Sequence, residues 1–259
     1  MVLLDLQKAF DTVDHQILCK KLEYMGVGNI GWFHSYLAKR EQIVTVDGID
    51  SSPGTVDCGV PQGSILGPLF FLCYINDMPI SIKCKLMLYA DDSALLVSGN
   101  DSNEIAQILS GELESCKNWL VNNKLSLHLG KTESILFGSK KRLNDVNNFE
   151  VKCDNVAIKN VTTVKYLGLK LNNNLSGDII VDEIVKKANS RLSFLYRYKD
   201  SLNEKCRKIL CSALIQCHFD YCCSAWFSSL GKTQKNRLQK VQNRIVKSIL
   251  NLPFRSNIG

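Results

Sequence analysis

The sequence lacks any apolar run long enough to cross a membrane, and its start shows no charged segment followed by a long apolar stretch of the secretory type. We therefore expect an intracellular protein, nuclear or cytoplasmic, that does not contact a membrane. Internal repeats and low-complexity tracts are also missing, and 45% of the residues are apolar. This composition is typical of a globular protein with an ordinary core.

Paired cysteine spacing is missing as well. The 11 cysteines are an odd number, which favours reduced thiols over a disulfide scaffold. The densest group lies between Cys206 and Cys223 and includes His218. Structural zinc sites usually take two ligands from each of two closely spaced pairs, whereas apolar residues surround Cys211 and Cys217 here. The spacing favours a buried helix, and we expect no structural zinc.

The formal net charge of +7 is unevenly distributed along the chain. Residues 1–177 contain 17 Lys and Arg against 19 Asp and Glu, a net −2, whereas residues 178–259 contain 15 against 6, a net +9. A basic C-terminal segment favours a polyanionic partner such as nucleic acid, although basic surfaces also serve solubility alone. An Asn-rich turn at residues 172–177 marks the expected boundary between the two parts.

Strand and helix signals alternate in the first part of the chain. Asp14 predicts the N-cap of a helix that Gly26 ends, and Pro68 fits the first turn of a second helix within the apolar residues 65–75. Apolar residues at helical spacing predict a long amphipathic helix over residues 104–120. Strands are predicted at residues 2–6, 42–47, 134–137 and 164–171, and only helices beyond Asp178. The fold class that we expect is α+β, a small antiparallel sheet backed by helices and followed by a helical segment.

Two adjacent carboxylates, Asp91 and Asp92, lie between the apolar residues 86–88 and 94–97, a pattern that predicts an antiparallel hairpin with a polar tip. Like charges repel there, so a cation is expected, and Mg²⁺ is the natural candidate because it takes carboxylate oxygens and substrate phosphates. If the strand that carries Asp5 runs beside the hairpin, three carboxylates converge, enough for two ions about 4 Å apart. Taken alone, an Asp-Asp pair is more often a solvent-facing turn.

Several segments resemble, in the right order, the motifs of reverse transcriptases from non-LTR retrotransposons of the LINE type, similar to the jockey-like group. The segments are residues 4–15 (LDLQKAFDTVDH), 60–68 (VPQGSILGP), 89–92 (YADD), 127–132 (LHLGKT) and 164–168 (VKYLG). Residues 219–222 (FDYC), Trp226 and residues 238–242 (LQKVQ) are similar to the helical region behind the palm of this family. The resemblance covers nearly the whole chain and implies RNA-directed DNA polymerase activity.

The resemblance also implies roles for single residues of the palm. Asp5 and Asp91 would be the principal metal ligands, with Asp92 beside them, and two Mg²⁺ ions, or Mn²⁺ in their place, would be bound. Phe10 would lie under the sugar of the dNTP and disfavour a 2′-hydroxyl, although a core aromatic is the plain alternative. Further contacts are assigned to Gln62 and Gly63 at the templating base pair and to Lys131 near the triphosphate.

Three segments are expected on the same basis: a palm at residues 1–150, a primer-grip hairpin and connector at residues 151–177, and a helical basic thumb at residues 178–259. Leu167 and Gly168 would hold the primer end. The basic side chains Arg237, Lys240, Arg244 and Lys247 share a helical face and would grip the phosphates of the RNA template and DNA primer. Members of the family place a fingers subdomain before the first motif, and we expect this sequence, which starts four residues before Asp5, to contain only palm and thumb.

Two other interpretations of the sequence remain open at this point. The chain could be a catalytically inactive remnant whose basic helices still bind nucleic acid. It could also be a structural or interaction module in which the Asp-Asp pair is only a turn, because carboxylates alone serve many proteins.

Overall fold

Residues 1–146 and 148–253 are described by a computed structural model. They form two units, and the first consists of Met1–Leu136 and Arg142–Val161. The second consists of Phe137–Lys141 and the described chain from Thr162 onward. In this division the hairpin around Leu167 and Gly168 belongs with the basic helices, whereas the sequence suggested a boundary at residues 172–177. The three functional segments expected from the sequence remain a prediction.

The first unit is a mixed α+β structure. Its strands are β1 (Val2–Leu4), β2 (Arg40–Gln42), β3 (Thr45–Val46), β4 (Ile49–Asp50), β5 (Gly54–Val56), β6 (Lys85–Tyr89), β7 (Asp92–Leu96), β8 (Glu133–Ser134), β9 (Lys152–Cys153), β10 (Val156–Ala157) and β11 (Lys159–Asn160). Its helices are α1 (His15–Tyr24), α2 (Ile30–Leu37), α3 (Leu66–Ile75) and α4 (Ser102–Asn122), with a 3₁₀ turn at Met78–Ser81. A short helix α5 (Lys140–Asn144) falls where the chain passes between the units.

Five of these strands form one sheet in the order β11-β8-β1-β7-β6. All neighbours are antiparallel except β11 and β8, so β1 lies inside the sheet between β7 and β8. β6 and β7 form a hairpin with the register Tyr89↔Asp92. Only Ala90 and Asp91 connect them, and Ala90 takes the left-handed conformation that such tight turns need (φ 51°).

The core of the first unit lies between this sheet and its helices. α4 buries one face, made of Ile105, Ala106, Leu109, Leu113, Cys116, Trp119 and Leu120. α3 is apolar on all sides and contributes the fully buried rings of Phe70, Phe71 and Tyr74. The predicted start of α1 is confirmed, because the Asp14 side chain accepts a hydrogen bond from the amide of Ile17 at 2.9 Å.

Some local predictions were wrong. Residues 42–47 do not form one strand, because the chain changes partner after Gln42: β2 pairs with β5, whereas β3 pairs with β4 around a turn at Asp47 and Gly48. The strand at residues 134–137 ends at Ser134. The pattern at residues 164–171 suggested a single strand, whereas these residues form a hairpin, the form that the family resemblance implied for this segment. Helix α2 was not predicted at all.

The second unit is a hairpin followed by helices. It contains β12 (Thr163–Tyr166), β13 (Leu169–Asn172), α6 (Asp178–Tyr198), α7 (Glu204–Cys211), α8 (Cys217–Asp220), α9 (Cys223–Trp226) and α10 (Lys232–Ile249), with a π-helical turn at Ser212–Gln216. α6 and α10 run side by side in the same direction. Two contacts show this, since Arg237 pairs with Asp182 and Arg244, one step of seven residues later in both helices, contacts Asn189. Their buried side chains form the core of this unit.

One buried cation of the second unit, Arg207, binds backbone oxygens of three other residues. Arg207 is 8% exposed, and its guanidinium donates hydrogen bonds to the backbone oxygens of Lys199, Leu202 and Ile249. Carbonyls at helix ends lack partners within their own helix, so this side chain satisfies them. Among the described residues, no helix joins sufficient length to an apolar composition that would let it cross a membrane.

Candidate active site

The sheet register brings the three predicted carboxylates to one end of neighbouring strands. Leu4 of β1 pairs with Ser93 of β7, so Asp5 and Asp92 each come one residue beyond that pair, and Asp91 follows in the hairpin turn. Asp91 and Asp92 are exposed, and Asp5 is half-buried. The backbone of Asp5 is fixed, since its carbonyl accepts a hydrogen bond from the amide of His128 at 2.8 Å.

The donor chemistry of this group suits a divalent cation. Carboxylate oxygens are the ligands that Mg²⁺ and similar hard ions prefer. Within residues 1–146 and 148–253, however, no three His, Cys, Asp or Glu side chains approach closely enough to form a metal-binding group. Adjacent carboxylates repel one another, so a bound cation would be needed to hold the three at short range. Asp5, Asp91 and Asp92 therefore fit such an ion, because they provide carboxylate oxygens and lie at one end of neighbouring strands.

Lys131 lies in the same cavity as Asp5. The stretch that carries Lys131 pairs with the residues after β1, through a bridge between Leu6 and Leu127, and its turn closes with a hydrogen bond from the Lys131 amide to the carbonyl of His128 at 3.0 Å. The cavity has a volume of about 450 Å³ and is lined by Asp5, Leu6, Gln7, Lys8, Thr12, Ser126, His128 and Lys131. An exposed ammonium and a carboxylate therefore face one space large enough for part of a nucleotide.

Phe10 is a half-buried aromatic whose ring packs on Phe71, with 4.6 Å between the ring centroids. Its backbone carbonyl accepts a hydrogen bond from the amide of Val60 at 2.8 Å. The loop after β1 is thus joined to the loop that carries Gln62 and Gly63. Gly63 has a φ of 80°, which a side chain would strain, and both residues are exposed.

The contacts between these two loops involve residues to which the sequence gave no role. The Nε2 of Gln62 donates to Oδ1 of Asp11 at 2.8 Å, and Nε2 of His15 lies 2.7 Å from the carbonyl oxygen of Gly59. Gly59 has a φ of 87°, and a Cβ there would lie 2.7 Å from the carbonyl oxygen of Asp11. The backbones touch, so only glycine fits. Asp11 and His15 belong to the first motif, and that membership was the only feature of the sequence that could have indicated a role for them.

A second cavity of about 870 Å³ also borders the loop after β1. Its lining includes Lys8, Asp11, Thr12, Arg40 and Gln62. Lys8 and Thr12 line both cavities, so the two cavities adjoin each other at the loop between β1 and α1. The Gln62 side chain and the carboxylate that orients it therefore face a space adjacent to that of Asp5 and Lys131.

In the second unit, Tyr221 holds the tight turn between β12 and β13. Leu167 and Gly168 both have positive φ, 44° and 81°. The hydroxyl of Tyr221 donates to the carbonyl of Leu167 at 2.7 Å, and a Cβ on Gly168 would lie 3.3–3.6 Å from the tyrosine side chain. Trp226 in turn donates to the carbonyl of Tyr221 at 3.0 Å. The FDYC segment thus supports the turn that was predicted to hold a primer.

The four cations predicted on α10 differ in their surroundings. Arg237 forms an ion pair with Asp182 at 2.7 Å, and Arg244 donates to Oδ1 of Asn189 at 3.1 Å, so both are engaged with α6. Lys240 is exposed, and Lys247 is half-buried. The structure therefore leaves Lys240 as the most accessible of the four for a phosphate.

Comparison with known proteins adds independent support. A family model described as reverse transcriptase (RNA-dependent DNA polymerase) matches residues 1–171. The chain is 29% identical, over 98% of its length, to a probable RNA-directed DNA polymerase from transposon BS of Drosophila melanogaster, of which it covers 29%. It is 25% identical, over 97% of its length, to the RNA-directed DNA polymerase from mobile element jockey of Drosophila funebris, of which it covers 28%.

The chain thus spans less than a third of the length of these relatives. The resemblance that its motifs suggested is confirmed, because the family model covers more than half of the chain and includes the motif residues from Asp5 to Gly168. The members of this family generally use divalent metal ions. We conclude that the chain belongs to the reverse transcriptase family.

Proposed function

We propose that this chain provides the palm and thumb of an RNA-directed DNA polymerase, which adds dNTPs to the 3′-hydroxyl of a DNA primer on an RNA template. The observation that carries the proposal is the placement of Asp5, Asp91 and Asp92 at one end of two neighbouring strands, beside the cavity of Lys131. Residues 1–150 act as the palm, residues 151–177 as primer grip and connector, and residues 178–259 as the thumb.

Asp5 and Asp91 are the principal ligands of two Mg²⁺ ions in this proposal, and Asp92 assists them. These carboxylates would hold the ions, which would supply activation of the attacking hydroxyl and neutralisation of the charge on the leaving pyrophosphate. The hairpin turn and the end of β1 fix the backbones of the ligands, so that little reorganisation of the chain is needed to bring their carboxylates to the ions.

The remaining residues bind and orient the substrate. Lys131 provides positive charge, and a proton for the pyrophosphate, on the wall of the cavity that contains Asp5. Phe10, supported by Phe71, lies under the sugar and excludes a 2′-hydroxyl. Gln62 and Gly63 contact the templating base pair, and Asp11 determines which way the Gln62 amide points.

Contacts to the duplex come from the second unit. The Leu167–Gly168 turn holds the primer end, supported by Tyr221. Lys240, with Arg237, Arg244 and Lys247 around it, binds phosphates regardless of sequence, so the binding weakens as salt rises.

Primer extension on an RNA template with Mg²⁺ tests the proposal. We expect extension with dNTPs that Asp91→Asn abolishes. The matched control is Asp101→Asn, because Asp101 caps α4 away from the site and asparagine caps equally well. Equal extension by wild type and Asp91→Asn would refute the assignment of Asp91.

A second candidate is a nucleic-acid-binding remnant without polymerase activity. It is favoured by one observation, that the carboxylates of the described residues form no three-ligand group. Salt-sensitive binding of an RNA–DNA hybrid without any extension, in the presence of Mg²⁺ or Mn²⁺, would select this candidate.

A further inference from the structure

A basic and aromatic stripe runs along the exposed side of α6. We call it the α6 stripe and define it by Lys187, Arg191, Phe194 and Tyr198, which are spaced at i, i+4, i+7 and i+11 and therefore lie on one helical face. All four side chains are exposed. The buried face of the same helix is made of other residues, among them Leu192 and Leu195. The stripe is thus not part of the core.

The charge of the stripe is positive and unneutralised. Residues 186–198 contain four cations, Lys186, Lys187, Arg191 and Arg197, and no carboxylate. In the described chain, none of these four takes part in an ion pair with Asp or Glu. The two acids one turn earlier are themselves engaged, Glu183 with Lys170 at 2.6 Å and Asp182 with Arg237 at 2.7 Å.

The cations of the stripe also affect the pKa of a neighbouring histidine, His218. Burial lowers the pKa of His218, and Lys187 and Arg191 lower it further. His218 is therefore neutral at pH 7 and does not add to the charge of the stripe.

Two aromatic rings continue the stripe. Phe194 is 52% exposed and Tyr198 is 46% exposed, with 5.0 Å between their ring centroids and 54° between their planes. Exposed aromatic rings beside cations combine the two contacts that an unpaired nucleotide offers: a phosphate for the cation and a base face for the ring. Bases in a duplex are already stacked and hide their faces, so the rings favour a single strand.

We propose that the α6 stripe binds single-stranded nucleic acid, with Lys187 and Arg191 on the phosphates and Phe194 and Tyr198 stacked on successive bases. This partner differs from the template–primer duplex of the proposed function. The binding does not require the polymerase site, so the two proposals can fail independently.

Fluorescence anisotropy with a labelled 12-nucleotide single strand, as RNA and as DNA, and with a blunt duplex of equal length tests the proposal. Phe194→Ala and Tyr198→Ala are each expected to weaken single-strand binding roughly tenfold, with little effect on the duplex. Lys187→Ala and Arg191→Ala should weaken both and lower the salt slope by about one each. Tighter binding of the RNA or of the DNA strand identifies which of them the stripe prefers.

Two controls separate stacking from other effects. Phe227→Ala removes an equally exposed ring, 46% exposed, that packs under Lys235 near the start of α10 and therefore near the opposite end of α6. Phe194→Leu keeps an apolar side chain but removes the aromatic face, so it should bind as weakly as Phe194→Ala. Circular dichroism melting shows whether each variant is folded.

Three results would overturn the proposal. One is single-strand binding that folded Phe194→Ala and Tyr198→Ala retain in full. Another is wild-type affinity in Phe194→Leu, which would indicate an apolar contact without stacking. The third is self-association, seen by sedimentation velocity, that the two alanine variants abolish while single-strand binding persists, because the stripe would then be a contact between copies of the protein.

Discussion

The Nε2 of Gln62 donates a hydrogen bond to Oδ1 of Asp11 at 2.8 Å and thereby joins two loops that are 51 residues apart in sequence. An ionised carboxylate is only an acceptor, so it orients the amide with its nitrogen toward Asp11 and its oxygen away from it. The backbone of Asp11 also packs against Gly59 at a distance that admits no side chain. Asp11 is therefore the residue that positions Gln62 in the cavity.

Asp11→Ala is expected to raise the KM for dNTPs roughly tenfold with kcat within about twofold, because the amide of Gln62 loses a charged partner that orients it for binding. Asp11→Asn retains an acceptor oxygen and should recover most of the loss. Steady-state primer extension measures both constants. Asp57→Asn, in the lining of the same cavity, serves as the control. A fall in kcat alone would contradict a role in positioning.

Phe10→Val is expected to increase the incorporation of ribonucleotides relative to deoxynucleotides by roughly 10- to 100-fold, because a smaller side chain leaves room for a 2′-hydroxyl. The matched control is Phe33→Val, which also shortens a half-buried ring, one that packs edge-on to Phe70. Competing rNTP and dNTP in single-nucleotide extension gives the ratio directly. An unchanged ratio in Phe10→Val would assign Phe10 to the core alone.

Local sequence patterns were sufficient to predict the elements that form from neighbouring residues of the chain. The β6–β7 hairpin follows from two apolar runs around a polar tip, and α4 follows from apolar residues at helical spacing. The pairing of β1 with β7, which places Asp5 beside Asp92, joins segments almost ninety residues apart in sequence and was expected only from the family resemblance.

Helix α2 shows why other parts could not be predicted. Its residues include glycine, serine and three aromatics, which have modest helix propensity, and its N-cap, Asn29, makes no capping hydrogen bond. The helix is held by tertiary contacts instead, with Phe33 and Tyr36 packed edge-on to Phe70 of α3 at 5.7 and 5.9 Å. Such contacts are not visible in a local pattern. The Asp11–Gln62 hydrogen bond escaped prediction for the same reason.

Asp14 is expected to make stability depend on pH in the acid range. Burial raises the pKa of Asp14, but hydrogen bonds from Lys124 and from the amide of Ile17 outweigh it, and the net pKa is lowered. A carboxyl whose pKa is lower in the folded state stabilises fully above its unfolded pKa of about 3.9, and this contribution is lost as the pH falls through the folded value. The difference in unfolding free energy between the wild type and Asp14→Asn, measured by urea unfolding, should therefore be smaller at pH 3 than at pH 7.

Two further variants separate the cap of α1 from the ion pair of Asp14. Asp14→Ala should lose about 1 kcal/mol of unfolding free energy at pH 7 because the Ile17 amide loses its partner. Lys124→Ala should lose less than about 1 kcal/mol, because the Lys124 side chain is 64% exposed and water screens its pair with the 18% exposed Asp14 side chain. Equal losses of unfolding free energy in the two variants would show that the ion pair, not the cap, provides most of the stabilisation by Asp14.

The turn at Leu167 and Gly168 is expected to depend on Tyr221. Tyr221→Phe removes only the hydroxyl that donates to the carbonyl of Leu167, so it should cost about 1 kcal/mol of unfolding free energy and should speed the dissociation of a primer–template without changing the KM for dNTPs. Gly168→Ala should cost at least as much, because alanine is strained at a φ of 81° and its Cβ would press on the tyrosine ring. Tyr24→Phe, on a 94% exposed ring, is the matched control. Urea unfolding and stopped-flow dissociation measure the two effects, and a primer–template lifetime unchanged in folded Tyr221→Phe would limit Tyr221 to a structural role.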